Sequence, residues 1–360
     1  MSKKKTIALF LAGIGAVVAT AIALLGFGAI PTTTTDGTGA TSVPANAFRV
    51  TMVTDTAGVS DKSFNQLCWE GLLKFKVQTD SYCSYLQPSS DDYLEQNLRK
   101  AAEIGSDLVW GNGYNMADAI SAAAKAYPDT TFALIDGTFD DAPSNLVGVS
   151  FRAQEPSFVV GYIAAKTTTT NKVGFVGGMR SSIVDQFEWG FKAGVAYGAK
   201  EDGKKVEVVD VYLDSFTDTA KGKSTGAQMY ADGCDIVFHA AGSAGTGVIS
   251  AAVDAGKLVI GVDRDQSDLA PNNVLTSALK RVDKAVLQVS YDVRSGARTS
   301  GNIDLGLAED CVGIPDGHSL MDETVYDSAV ALEARIKDGN IVPPANESGY
   351  WEYVSELTAR

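Results

Sequence analysis

The 360-residue sequence contains two histidines, His239 and His318, and four cysteines. Two histidines argue against a His-rich zinc site or a histidine-driven catalytic centre. Cys68, Cys83, Cys234 and Cys311 are widely spaced and form no C-x-x-C pair, so they carry no zinc or redox motif. Positive charge is also scarce, with 30 Lys and Arg against 44 Asp and Glu, a net charge of −14. Nucleic acid is not an expected partner, because phosphate binding needs clustered lysine and arginine. No G-x-S-x-G nucleophile elbow occurs, and neither histidine has a nucleophile beside it. Gly222-Lys223-Ser224-Thr225 ends like a phosphate-binding loop, but Thr217 stands where that motif begins with glycine. Gly242-x-x-Gly245-x-Gly247 is not in dinucleotide order, and suits a close backbone approach to some other ligand. No cofactor and no catalysis are expected.

What is present is globular material, with 45% hydrophobic and 21% charged residues, enough for one large or two medium domains. Three consecutive lysines, residues 3–5, precede an uncharged run over residues 6–30. A basic start before an apolar run reads as a secretory signal, and this run is long enough to cross a bilayer. The lysines would stay cytoplasmic, which places the remainder outside. Residues 31–47, rich in Thr, Gly, Ser, Pro and Ala, have spacer composition. A tether with a stalk is the favoured expectation, with a cleaved signal as the alternative. From Phe48 onward the net charge is −16, once residues 3–5 and Asp36 are set aside. In an exported chain a Cys68–Cys83 disulfide is conceivable, and buried free thiols are equally so. Asn346-Glu347-Ser348 fits a glycosylation sequon, a short match that is common by chance.

From residue 48 short apolar runs alternate with amphipathic ones. Strands are expected at 48–54, 82–87, 108–111, 131–135, 146–150, 172–177, 206–212, 236–240 and 258–262. Helices are expected at 63–78, 93–104, 117–126, 155–166, 183–199, 217–232 and 247–255. This alternation predicts α/β architecture with parallel sheets flanked by helices. Nine strands are too many for one comfortable half, so two lobes are expected. The N-terminal lobe would hold residues 48–152 with 278–305, and the C-terminal lobe 153–277 with 306–360, after a 1–30 anchor and a 31–47 linker. In open α/β sheets the ligand sits beyond the carboxyl ends of the strands. The residues there include Asp55, Tyr114, Asn115, Asp136, Asp214, Phe216, Gly242 and Asp263. Carboxylates accept from hydroxyls and ring N–H groups, and aromatic faces take a flat surface. The constellation predicts a polar, ring-shaped ligand.

Several of these segments resemble a known family. Val53-Thr54-Asp55-Thr56-Ala57-Gly58-Val59-Ser60-Asp61-Lys62-Ser63-Phe64-Asn65-Gln66 is similar to the opening motif of the basic membrane proteins, nucleoside-binding components of ABC importers. The similarity recurs at Ser215-Phe216-Thr217-Asp218, Phe238-His239-Ala240-Ala241-Gly242, Gly261-Val262-Asp263-Arg264-Asp265-Gln266 and Thr276-Ser277-Ala278-Leu279-Lys280-Arg281. The resemblance implies a two-lobed type I periplasmic binding protein fold with a hinged cleft. It implies a nucleoside, purine by preference, with its base between Phe64 and Phe216. Asp55, Asn65 and Asp136 would bond the base, and Gly242, Asp263 and Lys280 would surround the ribose. The implied partners are ABC permease subunits and, through the N-terminal segment, the membrane; a monomer is expected. The lipid-anchored members carry an N-terminal cysteine, whereas here no cysteine precedes Cys68. The alternatives are a tethered sensor of the same fold, or another small polar ligand such as a sugar.

Overall fold

A computed structural model describes residues 46–359. The expected anchor at 1–30, and the linker up to residue 45, lie outside the described residues. Strands β1 (Arg49–Val53), β2 (Tyr82–Leu86), β3 (Leu108–Asn112), β4 (Thr131–Ile135) and β5 (Leu146–Phe151) alternate with α1 (Phe64–Thr79), α2 (Leu94–Glu103) and α3 (Ala117–Ala126). The chain then forms α4 (Gln154–Thr167), β6 (Lys172–Gly177), α5 (Ser182–Glu201), β7 (Glu207–Tyr212), α6 (Thr219–Ala231), β8 (Ile236–Ala240), α7 (Gly245–Ala255), β9 (Leu258–Asp263) and β10 (Val274–Lys280). It continues through α8 (Val282–Ser295), β11 (Gly301–Leu305), β12 (Val312–Gly313), α9 (Glu323–Lys337) and α10 (Glu347–Ala359). Two six-stranded sheets result, ordered β11-β5-β4-β3-β1-β2 and β12-β10-β9-β8-β6-β7. All pairings are parallel except β12 on β10. This is the two-lobed α/β arrangement of the type I periplasmic binding fold.

The central strands β3, β8 and β10 are buried along their whole length. That is the signature of parallel strands covered on both faces. Period-two alternation sends Trp110 to one side of the first sheet and Val109 to the other. One side of each sheet joins a single apolar cluster containing Trp110, Phe158, Phe175 and Phe238. Each opposite side has a cluster of its own. Helix α8 returns to the first lobe, where Ser290 Oγ accepts from Trp110 Nε1 at 3.0 Å in the core. It also packs on α1, and a Cβ on Gly71 would lie 2.6 Å from the Asp283 carbonyl oxygen. That contact admits only glycine.

The chain crosses between sheets three times, after β5, after β10 and after β11. At the crossovers Arg152 bonds Glu155 Oε1 at 2.7 Å, Asp304 Oδ2 at 2.7 Å and Glu309 Oε2 at 2.5 Å. Strand β10, where the sequence reading put a crossing, is an interior strand. Its Thr276 and Ser277 are buried, and Ser277 Oγ is satisfied by the Gln266 backbone N–H at 3.2 Å. Strands β11 and β12 and helices α9 and α10 were absent from that reading. All four cysteines are free and buried. Asn346 of the sequon caps α10, its Oδ1 accepting from Gly349 N at 3.0 Å.

Candidate functional site

Between the lobes, at the carboxyl ends of the strands, lies a cavity of about 360 Å³. Asp55 follows β1, Asp136 follows β4, Asp214 follows β7 and Gly242 follows β8, while Asp263 and Lys280 end β9 and β10. Asp136, Asp214, Gly242 and Asp263 all take positive φ, at 66°, 53°, 54° and 65°. Aspartate tolerates the left-handed region better than most residues, and such conformations gather at functional sites.

Seven of the eight residues singled out in the sequence line this cavity, namely Asp55, Phe64, Asp136, Phe216, Gly242, Asp263 and Lys280. Phe64 opens α1 of the first lobe and Phe216 lies on the β7–α6 loop of the second, so the two rings come from opposite sides. Gly178 makes room for Phe216, since a Cβ there would stand 2.2 Å from the ring Cδ1. The Lys280 ammonium lies 4.9 Å from the centroid of the Phe64 ring.

Asn65 is not on the cavity wall. Its Nδ2 donates to Asp55 Oδ1 at 2.9 Å and Asp61 Oδ2 at 3.2 Å, and its Oδ1 accepts from Asn112 Nδ2 at 3.2 Å. Buried behind Asp55, it holds that carboxylate in position. Asp61 accepts from the backbone N–H groups of Ser63, Asn65 and Gln66 at 2.8 to 3.0 Å and thereby caps α1. Ser63 is thus released from capping, and its hydroxyl donates to Asp263 of the other lobe.

Burial governs the electrostatics. Asp55 is pushed up to about 6 by burial, with Asp61 adding to the rise, while the Ala57 N–H and Asn65 pull it down. Asp263 is also pushed up to about 6 by burial, against the opposing pull of Lys280 and Ser63. Lys280 Nζ donates to Asp136 Oδ2 at 2.6 Å, linking the lobes, and both residues are buried. Asp136 Oδ1 is buried without a partner. His239 lies on the other side of the second sheet, where its ring fills the space a Cβ on Gly245 would need. Burial pushes it down to about 4, against a smaller opposing pull from the Gln266 carboxamide.

The sequence reading missed the apolar wall of Ile183, Val184 and Phe187 on α5, together with Asp61 and Asp91. Three apolar residues at helical spacing carry the same signal whether they face a core or a cavity. Asp91 sits on a surface turn before α2, with no strand end to mark it. Among the described residues no group of His, Cys, Asp or Glu could hold a metal ion. No described helix is long and apolar enough to cross a membrane.

Comparison with known proteins shows the family of this chain. The profile of PnrA-like ABC transporter substrate-binding proteins, the Bmp family, matches residues 48–347. A Listeria innocua protein named CD4+ T-cell-stimulating antigen is 37% identical over 365 residues, 95% of this chain and 99% of that protein. Basic membrane protein A of Borreliella burgdorferi is 37% identical over 303 residues, covering 82% of this chain and 88% of its own. A solute-binding protein of an Aeropyrum pernix ABC transporter system superposes with a TM-score of 0.78 at 27% identity, over 87% of this chain and 98% of that one.

Proposed function

Because the chain belongs to the PnrA-like family of ABC transporter substrate-binding proteins, we propose that its cleft captures a nucleoside and delivers it to an ABC importer. The observation that carries this reading is the pairing of two aromatic rings from opposite lobes with a wall of carboxylates. A nucleobase is flat and carries ring or exocyclic N–H groups, and a ribose carries vicinal hydroxyls. Phe64 and Phe216 would sandwich the base, each worth about 1–3 kcal/mol on the scale of base–aromatic stacking. Asp55, steadied by Asn65, and Asp136, through its unpartnered Oδ1, would accept from the base. Asp263 would accept from the ribose hydroxyls beside Gly242, where the backbone can approach closely.

Capture and closure would be one event. The lobes meet through Lys280 and Asp136, Ser63 and Asp263, and Gln266 Nε2 donating to the Lys62 carbonyl at 3.3 Å. A ligand that also touches both lobes favours the closed form by its extra affinity for that form. The permease would recognise that form. The apolar run at 6–30 would hold the binding unit at the outer face of the membrane. The test is calorimetric titration of the full chain in detergent micelles with inosine, guanosine, adenosine, uridine and ribose. Saturable heat with purine nucleosides and none with ribose is expected; silence across the panel would overturn the nucleoside assignment.

A further inference from the structure

Six aspartates, Asp55, Asp61, Asp91, Asp136, Asp214 and Asp263, line the cavity against a single lysine, Lys280. That lysine is already bound to Asp136 at 2.6 Å. Near the rim Lys221 stands 3.8 Å from Asp214. A phosphate site is normally built from free cationic side chains or from unengaged backbone N–H groups at helix starts. Here the one lysine is paired, and several of the N–H groups are already used by the protein. Asp61 takes the N–H groups at the start of α1. Ser215 Oγ accepts from Thr217 and Asp218 at the approach to α6, and the Phe216 carbonyl accepts from Ala244 before α7. Among the buried side-chain atoms of the wall, the one left without a partner is an acceptor, Asp136 Oδ1.

We infer that the cleft rejects phosphate esters, so that a nucleotide becomes a ligand only after a phosphomonoester hydrolase acting outside the cell membrane has removed its phosphate. This rests on the nucleoside reading above. In that supplying reaction water attacks phosphorus and the bond from phosphorus to the 5′ oxygen breaks. Orthophosphate leaves, and the 5′ oxygen takes a proton to become the hydroxyl of the captured nucleoside. A cavity of about 360 Å³ is roughly 9 Å across if taken as a sphere, so a phosphate inside it would stand close to several carboxylates. At an effective dielectric near 20, each such like-charge pair weakens binding by a factor of several to tens. Together they outweigh the attraction of one lysine that is already paired.

The test titrates the full chain in detergent micelles with guanosine, inosine, adenosine and uridine, each beside its 5′-monophosphate. The monophosphate is expected to bind at least roughly a hundredfold more weakly than its nucleoside. In the double variant Asp91→Asn with Asp214→Asn, both at exposed positions, that ratio should narrow at least about threefold. It should also narrow in the parent protein as salt is raised, because screening weakens charge exclusion. Monophosphates binding within tenfold of their nucleosides would overturn the inference and leave the nucleoside reading intact. A ratio indifferent to both salt and the double variant would overturn it too, because bulk would then be the cause. Failure of all the nucleosides would remove the nucleoside reading, and this inference with it.

Discussion

Replacing Lys280 with methionine removes the lone cation of the cavity wall while keeping most of the side-chain volume. Asp136 would then be left with both carboxylate oxygens lacking an ionic partner, in a pocket where it is 7% exposed. Breaking a buried ion pair from one side typically costs about 3–5 kcal/mol. Asp136 faces a cavity that water can enter, so the lower end, about 3 kcal/mol, is expected at pH 7. Asp263 also loses the Lys280 charge that pulls its pKa down, so its titration should move further upward in the variant. The assay is urea unfolding of parent, Lys280→Met, Asp136→Asn and the double variant. The double variant should recover most of the lost stability, since it removes the uncompensated charge together with its partner. It should not recover ligand affinity, because the tie between the lobes is absent. If Lys280→Met costs less than about 1 kcal/mol, or if Asp136→Asn fails to rescue it, the pair does not work as argued.

Phe216→Ala should weaken nucleoside binding by about 1–3 kcal/mol, roughly 5- to 150-fold, without a comparable loss of stability; unchanged affinity in calorimetry would remove this ring from the site. Gly178→Ala should act on the same ring indirectly, because its Cβ would stand 2.2 Å from Phe216 Cδ1; affinity should fall while the unfolding midpoint stays near that of the parent. His239 is held neutral, its pKa pushed down to about 4 from 6.5, so the unfolded chain binds its proton first and stability falls as pH drops from 6.5 towards 4. That loss totals roughly 3 kcal/mol, and His239→Leu should flatten the decline in unfolding measured across this window. Asp263 runs the other way, with its pKa pushed up from 3.8 to about 6. Its contribution falls as pH rises from about 4 to 6, so Asp263→Asn should be more stable than the parent at pH 7, by at most about 3 kcal/mol, and equal near pH 3. Lower affinity in that more stable variant would show a site kept at the expense of stability.

Strands β1 to β9 were legible because they are short, largely apolar runs, most of them closed by Asp, Asn or Gly within two residues. The same punctuation exposed the site, since a residue that ends a parallel strand is carried to the cleft by topology alone. Strand β10 escaped because Thr276, Ser277 and Lys280 break its apolar run, and their partners lie elsewhere in the chain. Gln266 N reaches Ser277 and Asp136 reaches Lys280. Strand β11 alternates half-buried and exposed residues in Gly-Asn-Ile-Asp-Leu, a composition that reads as a turn. Asn65 shows a different limit. The motif put it beside the ligand, yet the direction of a side chain at a helix start depends on which acceptors surround it, and here Asp55, Asp61 and Asn112 hold it away from the cavity.

Three strands of backbone join the lobes, and the Arg152 guanidinium grips carboxylates on both sides of that junction and on the third crossover. A single connecting strand could swivel; three side by side, two of them cross-braced by one planar group, leave bending as the soft motion and make twisting stiff. The two halves should therefore travel along one arc and return to the same alignment at every cycle. A flat ring lying on Phe64 would meet Phe216 face-on each time, without a search over orientations. The selectivity of the cleft would then depend on an arginine that never touches the ligand.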